Sequence, residues 1–123
     1  MDFCRRNGSA IIRRVPMAMI NWHKKAYRLF MDYVATASVE FGKSTAQRWQ
    51  KEKKGIEWRL ERYPTSYPPE KFLRGREHLY RQCHLMNRRF KIIYFYDEAE
   101  DIIHIMDIWD TRMNPTALVR RIK

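Results

Sequence analysis

Seven consecutive residues near the end of the chain, 90–96, leave few choices of fold. Their sequence is FKIIYFY, in which Lys91 is the one charged residue. A strand with one face in water alternates apolar and polar residues, whereas a strand that is apolar at nearly every position is typical of the centre of a sheet. The run therefore predicts a central strand with both of its faces covered.

Two further β-type runs flank this strand, at residues 79–86 and 102–108. The connection 87–89 is Asn-Arg-Arg, and the connection 97–101 is acidic. Connections as short as these require antiparallel neighbours. The last part of the chain therefore predicts a three-stranded antiparallel meander.

The first part of the chain predicts a short strand over residues 15–20 followed by two helices. Apolar residues recur at helical spacing over residues 22–40, after Asn21 as the cap, and Gly42 ends this helix. Ser44 and Gln47 match a capping box for a second helix that runs to about Arg62. The inner face of that helix is predicted to contain Ala46, Trp49, Ile56, Leu60 and Tyr63.

The order of these elements indicates an α+β domain. An antiparallel helix hairpin packs on one side of a mainly antiparallel sheet, which leaves the other side to the tail, a partner or a substrate. Residues 16–123 are expected to form a single domain. Residues 1–15 are expected to be a basic, poorly ordered leader.

The composition restricts the partners and the compartment. The chain has 25 Lys and Arg against 14 Asp and Glu, a formal net charge of +11, which favours nucleic acid, ribosomes, anionic membranes or an acidic protein as the partner. No segment approaches the run of about 20 apolar residues that a membrane span needs. The two cysteines, Cys4 and Cys83, form no disulfide framework, so we expect a cytoplasmic protein without cofactor or metal.

Basic residues concentrate in the loop and strands before residue 92. Such a cluster can hold several phosphates, or it can be a solvated rim. Arg81 shares a strand face with Leu79, Cys83 and Leu85, so its charge needs a carboxylate or a phosphate as its partner. Asp107 and Asp110 are the internal candidates, and a role in binding is the alternative. The predicted binding residues are Arg74, Arg76, Arg88, Arg89 and Lys91.

Two residues on the second helix have open interpretations. Trp58 lies roughly opposite Trp49 on the helix, off the apolar stripe, and an exposed tryptophan often marks an interface. Glu57 lies one turn from Glu61, so the two carboxylates could act in acid–base chemistry. They could equally form a solvated face with the neighbouring lysines.

The end of the chain resembles the end of RelE/ParE-family toxins, the toxin halves of bacterial type II toxin–antitoxin systems. The resemblance rests on residues 89–94, the acidic turn, and the ending Trp109-Asp110-Thr111-Arg112-x-Asn114-Pro115. It is supported by the Tyr80-Arg81 pair and extends over about residues 15–118. It implies the RelE-like fold, a helix hairpin on an antiparallel-dominated sheet.

The resemblance also implies a function. RelE-like toxins cut messenger RNA on the ribosome, ParE-like toxins poison DNA gyrase, and a cognate antitoxin neutralises both kinds. For RNA cleavage the matching positions imply Arg81 and Arg112 as catalytic cations, with Tyr94 or Glu57 for proton transfer. The antitoxin is expected at Trp58, Trp109 and Asp110. A basic nucleic-acid-binding or protein-interaction module without catalysis is the alternative.

Overall fold

The computed structural model describes residues 17–122, so the basic leader and the first residues of the predicted strand lie outside the described part of the chain. Within this part, no helix has the length and apolar content needed to cross a membrane. The elements follow in this order: β1 (Met19–Trp22), α1 (Lys24–Phe41), α2 (Lys43–Arg62), a short 3-10 helix (Lys71–Leu73), β2 (Arg81–Leu85), β3 (Phe90–Asp97), β4 (Ile102–Asp110) and α3 (Pro115–Arg121).

The four strands form one sheet in the order β1-β4-β3-β2. β3 pairs with β2 and β4 in antiparallel orientation, and β1 pairs with β4 in parallel. The predicted α+β architecture with a central third strand is confirmed. The strand predicted at residues 15–20 instead spans Met19–Trp22, because these are the residues whose backbone pairs with Ile102–Ile105.

The helix hairpin covers one face of the sheet, as predicted. Gly42 separates the helices with φ 95° and ψ 173°, a conformation that is essentially limited to glycine. α2 begins at once at Lys43, so Ser44 already lies in its first turn, and the predicted capping box is wrong. The cap predicted at Asn21 is also wrong, since α1 begins after His23.

The core between the hairpin and the sheet contains both aromatic and aliphatic side chains. Phe30 on α1, Trp49 and Leu60 on α2 and Ile105 on β4 are all buried there. Tyr63, predicted on the inner face of α2, is 57% exposed because the helix ends at Arg62 and the chain turns away.

The tail and the 3-10 helix cover the second face of the sheet. Leu118 and Ile122 from the tail pack with Leu73, Ile93 and Trp109 in a separate buried cluster. Two ion pairs cross this layer, one between Lys91 and Glu70 and the other between Arg121 and Asp107. The sequence left open whether the tail, a partner or a substrate covers this face. In the structure the chain's own tail covers it.

Candidate functional site: an arginine-rimmed cleft

The sheet brings two distant segments together at one edge. Phe90, at the start of β3, pairs with Asp110, at the end of β4. The turn before Phe90 therefore lies beside the segment after Asp110. Thr111 joins them: its hydroxyl donates to the carbonyls of Arg88 at 3.1 Å and of Arg89 at 2.9 Å.

The turn between β2 and β3 has a left-handed backbone that α2 supports. Met86, Asn87 and Arg88 have φ values of 53°, 57° and 65°. The backbone N–H of Met86 donates to Glu52 Oε1 at 2.7 Å, and Arg48 Nη2 donates to Asn87 Oδ1 at 2.8 Å. Since a run of left-handed residues is costly, these side chains from α2 help to stabilise the turn.

Asp110 and Arg112 form a compact ion pair at the same edge. Arg112 donates from Nη2 to Asp110 Oδ2 at 3.1 Å, from Nε to Oδ1 at 3.3 Å and from its backbone N–H to Oδ1 at 3.0 Å. These hydrogen bonds hold the pKa of the Asp110 carboxyl below its usual range. The Arg112 side chain is still 64% exposed, so one side of the guanidinium remains open to a ligand.

These segments and the helix hairpin enclose a cleft of about 330 Å³. Its inner wall is a cluster of three rings: Tyr33 stacks on Trp49 at 5.7 Å between centroids, and Phe90 lies 4.7 Å from Tyr33. Burial raises the pKa of the Tyr33 phenol, with the Asp110 charge as a second cause. The charged residues of the rim are Glu40, Arg48, Arg89, Asp110 and Arg112.

The cleft can bind an anion and stabilise developing negative charge. Arg89 has no carboxylate partner within residues 17–122. Arg112 pairs with Asp110, but its guanidinium is largely exposed to solvent. Asp110 is ionised at neutral pH and can accept a proton, whereas Tyr33 keeps its proton and can donate a hydrogen bond. These are the groups that binding or cleavage of a phosphodiester would use.

The structure separates the two predicted catalytic arginines. Arg81 pairs with Tyr94, four residues along β3 from Phe90, which is about 13 Å at a strand rise of about 3.3 Å per residue. The pairing of Arg81 with Asp107 or Asp110 is wrong, because its Nη1 donates to the carbonyl of Tyr67 at 2.7 Å. Arg81 and Arg112 therefore do not form one site, and only Arg112 lines the cleft.

The two predicted proton-transfer residues lie away from the cleft. Tyr94 is fully buried, its hydroxyl donates to the Pro64 carbonyl at 2.8 Å, and burial raises its pKa. Its position argues against proton transfer to a substrate. Glu57 accepts a hydrogen bond from the Trp22 indole at 2.8 Å and pairs with Lys53 at 3.4 Å.

The predicted binding cations divide into two groups. Arg74, Arg88 and Arg89 are exposed and remain candidates for contact with a target. Arg76 instead donates to the carbonyls of Val119, at 2.9 Å, and Ile122, and Lys91 pairs with the buried Glu70 at 2.5 Å. Arg76 and Lys91 therefore hold the tail and the 3-10 helix in place, which corrects their assignment to an open binding surface.

The residues predicted to contact an antitoxin also differ in accessibility. Trp58 is 54% exposed, with the guanidinium of Arg62 lying 4.2 Å above its ring. Trp109 is 2% exposed, with Arg121 over its ring, so the prediction that it contacts a partner is wrong. The Trp109 side chain lies on the face of the sheet that the tail covers, so the tail buries it. Asp110 is partly exposed at the cleft.

Sequence reasoning did not single out Arg48, and it placed Tyr33 and Trp49 only on the apolar faces of the two helices. All three line the cleft, yet each lies on a helix at a spacing that fits an ordinary amphipathic pattern. Helix packing brings them to the edge of the sheet, so no local signal could have found them. Within residues 17–122, no group of three or more His, Cys, Asp or Glu side chains is placed to hold a metal.

Comparison with solved structures identifies the architecture. A chain of the chromosomal ParDE toxin–antitoxin system from P. aeruginosa superposes with a TM-score of 0.59 at 15% identity, covering 76% of this chain and 96% of that one. A double mutant of the E. coli toxin RelE in the free state superposes with a TM-score of 0.57 at 11% identity, covering 87% and 99%. The chain has the RelE/ParE toxin fold.

No protein-family model matches the sequence, and neither does any curated protein. Residues 109–115, on which the resemblance to the family rests, stabilise the fold through specific contacts. Trp109 fills the second core, Thr111 holds the neighbouring turn, and the Asn114 side chain caps α3 by accepting from the Thr116 N–H at 3.0 Å. The remaining pair, Asp110 and Arg112, faces the cleft.

Proposed function

We propose that this chain is the toxin of a bacterial toxin–antitoxin pair and acts through the arginine-rimmed cleft. The observation that carries the proposal is the meeting of Arg89 and Arg112, from separate parts of the chain, on one rim of a cleft within the RelE/ParE toxin fold. The toxin arrests growth by attacking translation or DNA gyrase. Its cognate antitoxin neutralises it.

Messenger RNA on the ribosome is the target that we favour. Guanidinium groups hold phosphate oxygens through paired hydrogen bonds, and Arg48, Arg89 and Arg112 surround a cleft whose wall contains the Tyr33 ring. An RNA strand offers phosphates to the rim and a base to the ring. If the message is cut, a hydroxyl attacks the phosphorus and gives its proton to Asp110, while the P–O bond to the leaving oxygen breaks and that oxygen takes a proton from water. Arg89 and Arg112 stabilise the negative charge on the phosphate oxygens.

DNA gyrase is the second target. In that case the same arginines are contacts to the enzyme, and no proton transfer is required. The antitoxin is expected to carry an acidic segment, because it must compete for a strongly basic chain with a formal net charge of +11. The cleft and the exposed Trp58 are the two surfaces on which we expect it to bind.

Induced expression in a bacterial host tests the role as a toxin. The wild-type chain should arrest growth, and Arg89→Ala with Arg112→Ala should relieve the arrest. Arg28→Ala is the matched control, since Arg28 is an exposed arginine on α1 that does not line the cleft. Relief by the control to the same degree, or no arrest by a folded wild-type chain, would contradict the proposal.

Translation in vitro with added protein tests the target. Message cleavage on the ribosome that falls on the order of 100-fold in Arg112→Ala supports the ribosome and a catalytic cation. Intact messages together with inhibited gyrase supercoiling support gyrase instead. Growth arrest with neither effect would leave the toxin assignment standing and remove both targets.

A basic nucleic-acid-binding module without toxicity is the alternative function. The exposed Arg74, Arg88 and Arg89 favour it, because exposed arginines can bind phosphates without a complete active site. It predicts binding to RNA or DNA that weakens as salt rises. The logarithm of the binding constant should fall with the logarithm of the salt concentration, with a slope of about one for each phosphate contacted. Removal of one of these arginines should lower the slope by about one.

A further inference from the structure

Two histidines that lie 81 residues apart in sequence meet where β1 ends beside β4. His23 Nε2 lies 2.9 Å from His104 Nδ1 across their side chains, and the ring centroids are 5.1 Å apart. His23 is the residue before α1, and His104 lies on β4. Their separation in sequence conceals the pair from any search for closely spaced metal-ligand motifs.

The distance between the two nitrogens suits shared coordination of one metal ion. At a metal–nitrogen distance of about 2.1 Å, two ligands are about 3.0 Å apart at a right angle and about 3.4 Å apart at a tetrahedral angle. The observed separation of 2.9 Å lies close to the first value. In the metal-free chain one ring donates a hydrogen bond to the other. Metal binding requires that this proton move to the other nitrogen of the donating ring and that the rings tilt, so that both lone pairs point at one ion.

A third donor lies beside the pair. Asn21 is directly opposite His104 in the parallel register, and its side-chain amide nitrogen lies 3.4 Å from His104 Nδ1. Because Asn21 and His23 are two residues apart on an extended segment, their side chains point the same way. Rotation of the amide by 180° would turn its oxygen, a metal ligand, towards the two nitrogens.

The surrounding structure keeps the two histidines close together before any metal binds. The His104 ring stacks on Phe95 with centroids 4.7 Å apart and an interplanar angle of 18°. The backbone N–H of His23 donates to the Ile105 carbonyl at 3.0 Å. An ordered site of this kind loses little conformational freedom on binding.

Charged residues of both signs flank the pair in the sequence. Lys24 and Lys25 follow His23 directly, but the turn after β3 carries four acids, Asp97, Glu98, Glu100 and Asp101. The backbone of Asp101 contacts the start of β1, where its carbonyl accepts from Met19 at 3.1 Å.

We infer that His23, His104 and Asn21 form a binding site for a borderline divalent transition metal such as Zn²⁺ or Ni²⁺. Imidazole nitrogens are preferred ligands of these ions. The site joins the start of α1 to β1 and β4, so metal binding stabilises the packing of the first strand on the sheet. It lies on different residues from the cleft and does not depend on the function proposed above.

Calorimetric titration of the full chain with Zn²⁺ and with Ni²⁺ tests the site. The Cys4→Ser variant is the background, so that this thiol supplies no ligand. We expect one ion per chain and at least 10-fold weaker binding in His23→Gln and in His104→Gln. His78→Gln is the matched control, since His78 is an exposed histidine that stacks on the same Phe95 ring at 3.9 Å without touching the pair. Its affinity should stay within twofold.

Two further measurements separate ligation from a structural effect. Zn²⁺ should raise the melting temperature of the background chain and of His78→Gln, but not of the two ligand variants, because binding to the folded state alone stabilises it. Asn21→Asp should bind more tightly than the background, since it supplies a charged oxygen. The proposal is overturned if no ion binds, or if binding and the rise in melting temperature survive both histidine substitutions.

Discussion

Arg121 on α3 donates from Nε to the Asp107 carboxylate on β4 at 3.0 Å, and Asp107 is completely buried. The same carboxylate accepts from the Ile108 N–H at 2.8 Å, and the Arg121 guanidinium lies over the Trp109 ring. A charge buried beneath the tail requires this partner. The pair therefore fixes where the tail crosses the sheet.

Removal of the partner should destabilise the fold. Arg121→Ala leaves the Asp107 charge buried and unpaired, so we expect the free energy of unfolding to fall by about 3 kcal/mol, measured by urea denaturation. Arg120→Ala, its exposed neighbour, should change stability by less than about 0.5 kcal/mol. Equal effects of the two substitutions would show that the buried pair contributes nothing specific.

Tyr94→Phe should separate a structural role from a catalytic one. The substitution removes the hydroxyl that donates to the Pro64 carbonyl, so stability should fall by about 1 kcal/mol. Growth arrest and any message cleavage should persist at the wild-type level, because the hydroxyl is buried away from the cleft. A folded Tyr94→Phe chain that has lost its activity would restore Tyr94 as a proton-transfer residue.

Two glycines should respond to alanine in opposite directions. Gly55 lies inside α2 with open space around its Cα, so Gly55→Ala should stabilise the chain by about 0.5–1 kcal/mol through helix propensity. Gly42 has equal space but φ 95° and ψ 173°, so Gly42→Ala should cost about 1–3 kcal/mol through backbone strain. Thermal unfolding of the two variants beside the wild type measures both.

The Asp110–Arg112 pair should contribute to acid sensitivity. Because the folded chain lowers the pKa of Asp110, the pair contributes stability above the unfolded carboxyl pKa, near 4, and this stability is lost as pH falls through the lower folded value. Urea midpoints measured between pH 6 and pH 2 should therefore fall less steeply in Arg112→Ala than in the wild type. Identical pH profiles would contradict this role for the pair.

Much of the fold could be predicted because its signals are local. The apolar run before Asp97 identified a central strand, the helical spacing of apolar residues identified α1 and α2, and Gly42 marked the break between them. The helix caps were not predictable in the same way. Ser44 and Asn21 have suitable side chains, but the packing of the hairpin decided where each helix begins.

The sequence by itself determined the class of the domain, the order of its elements and the excess of positive charge, because hydrophobic period and composition are properties of neighbouring residues. Only the tertiary structure decided the use of each charge. It engaged Arg76 and Arg121 in holding the tail and Lys91 in holding the 3-10 helix, and it left Arg89 and Arg112 at an open cleft. It also brought His23 to His104. A charged side chain is satisfied by whatever group packing places beside it, and that group can lie anywhere in the chain.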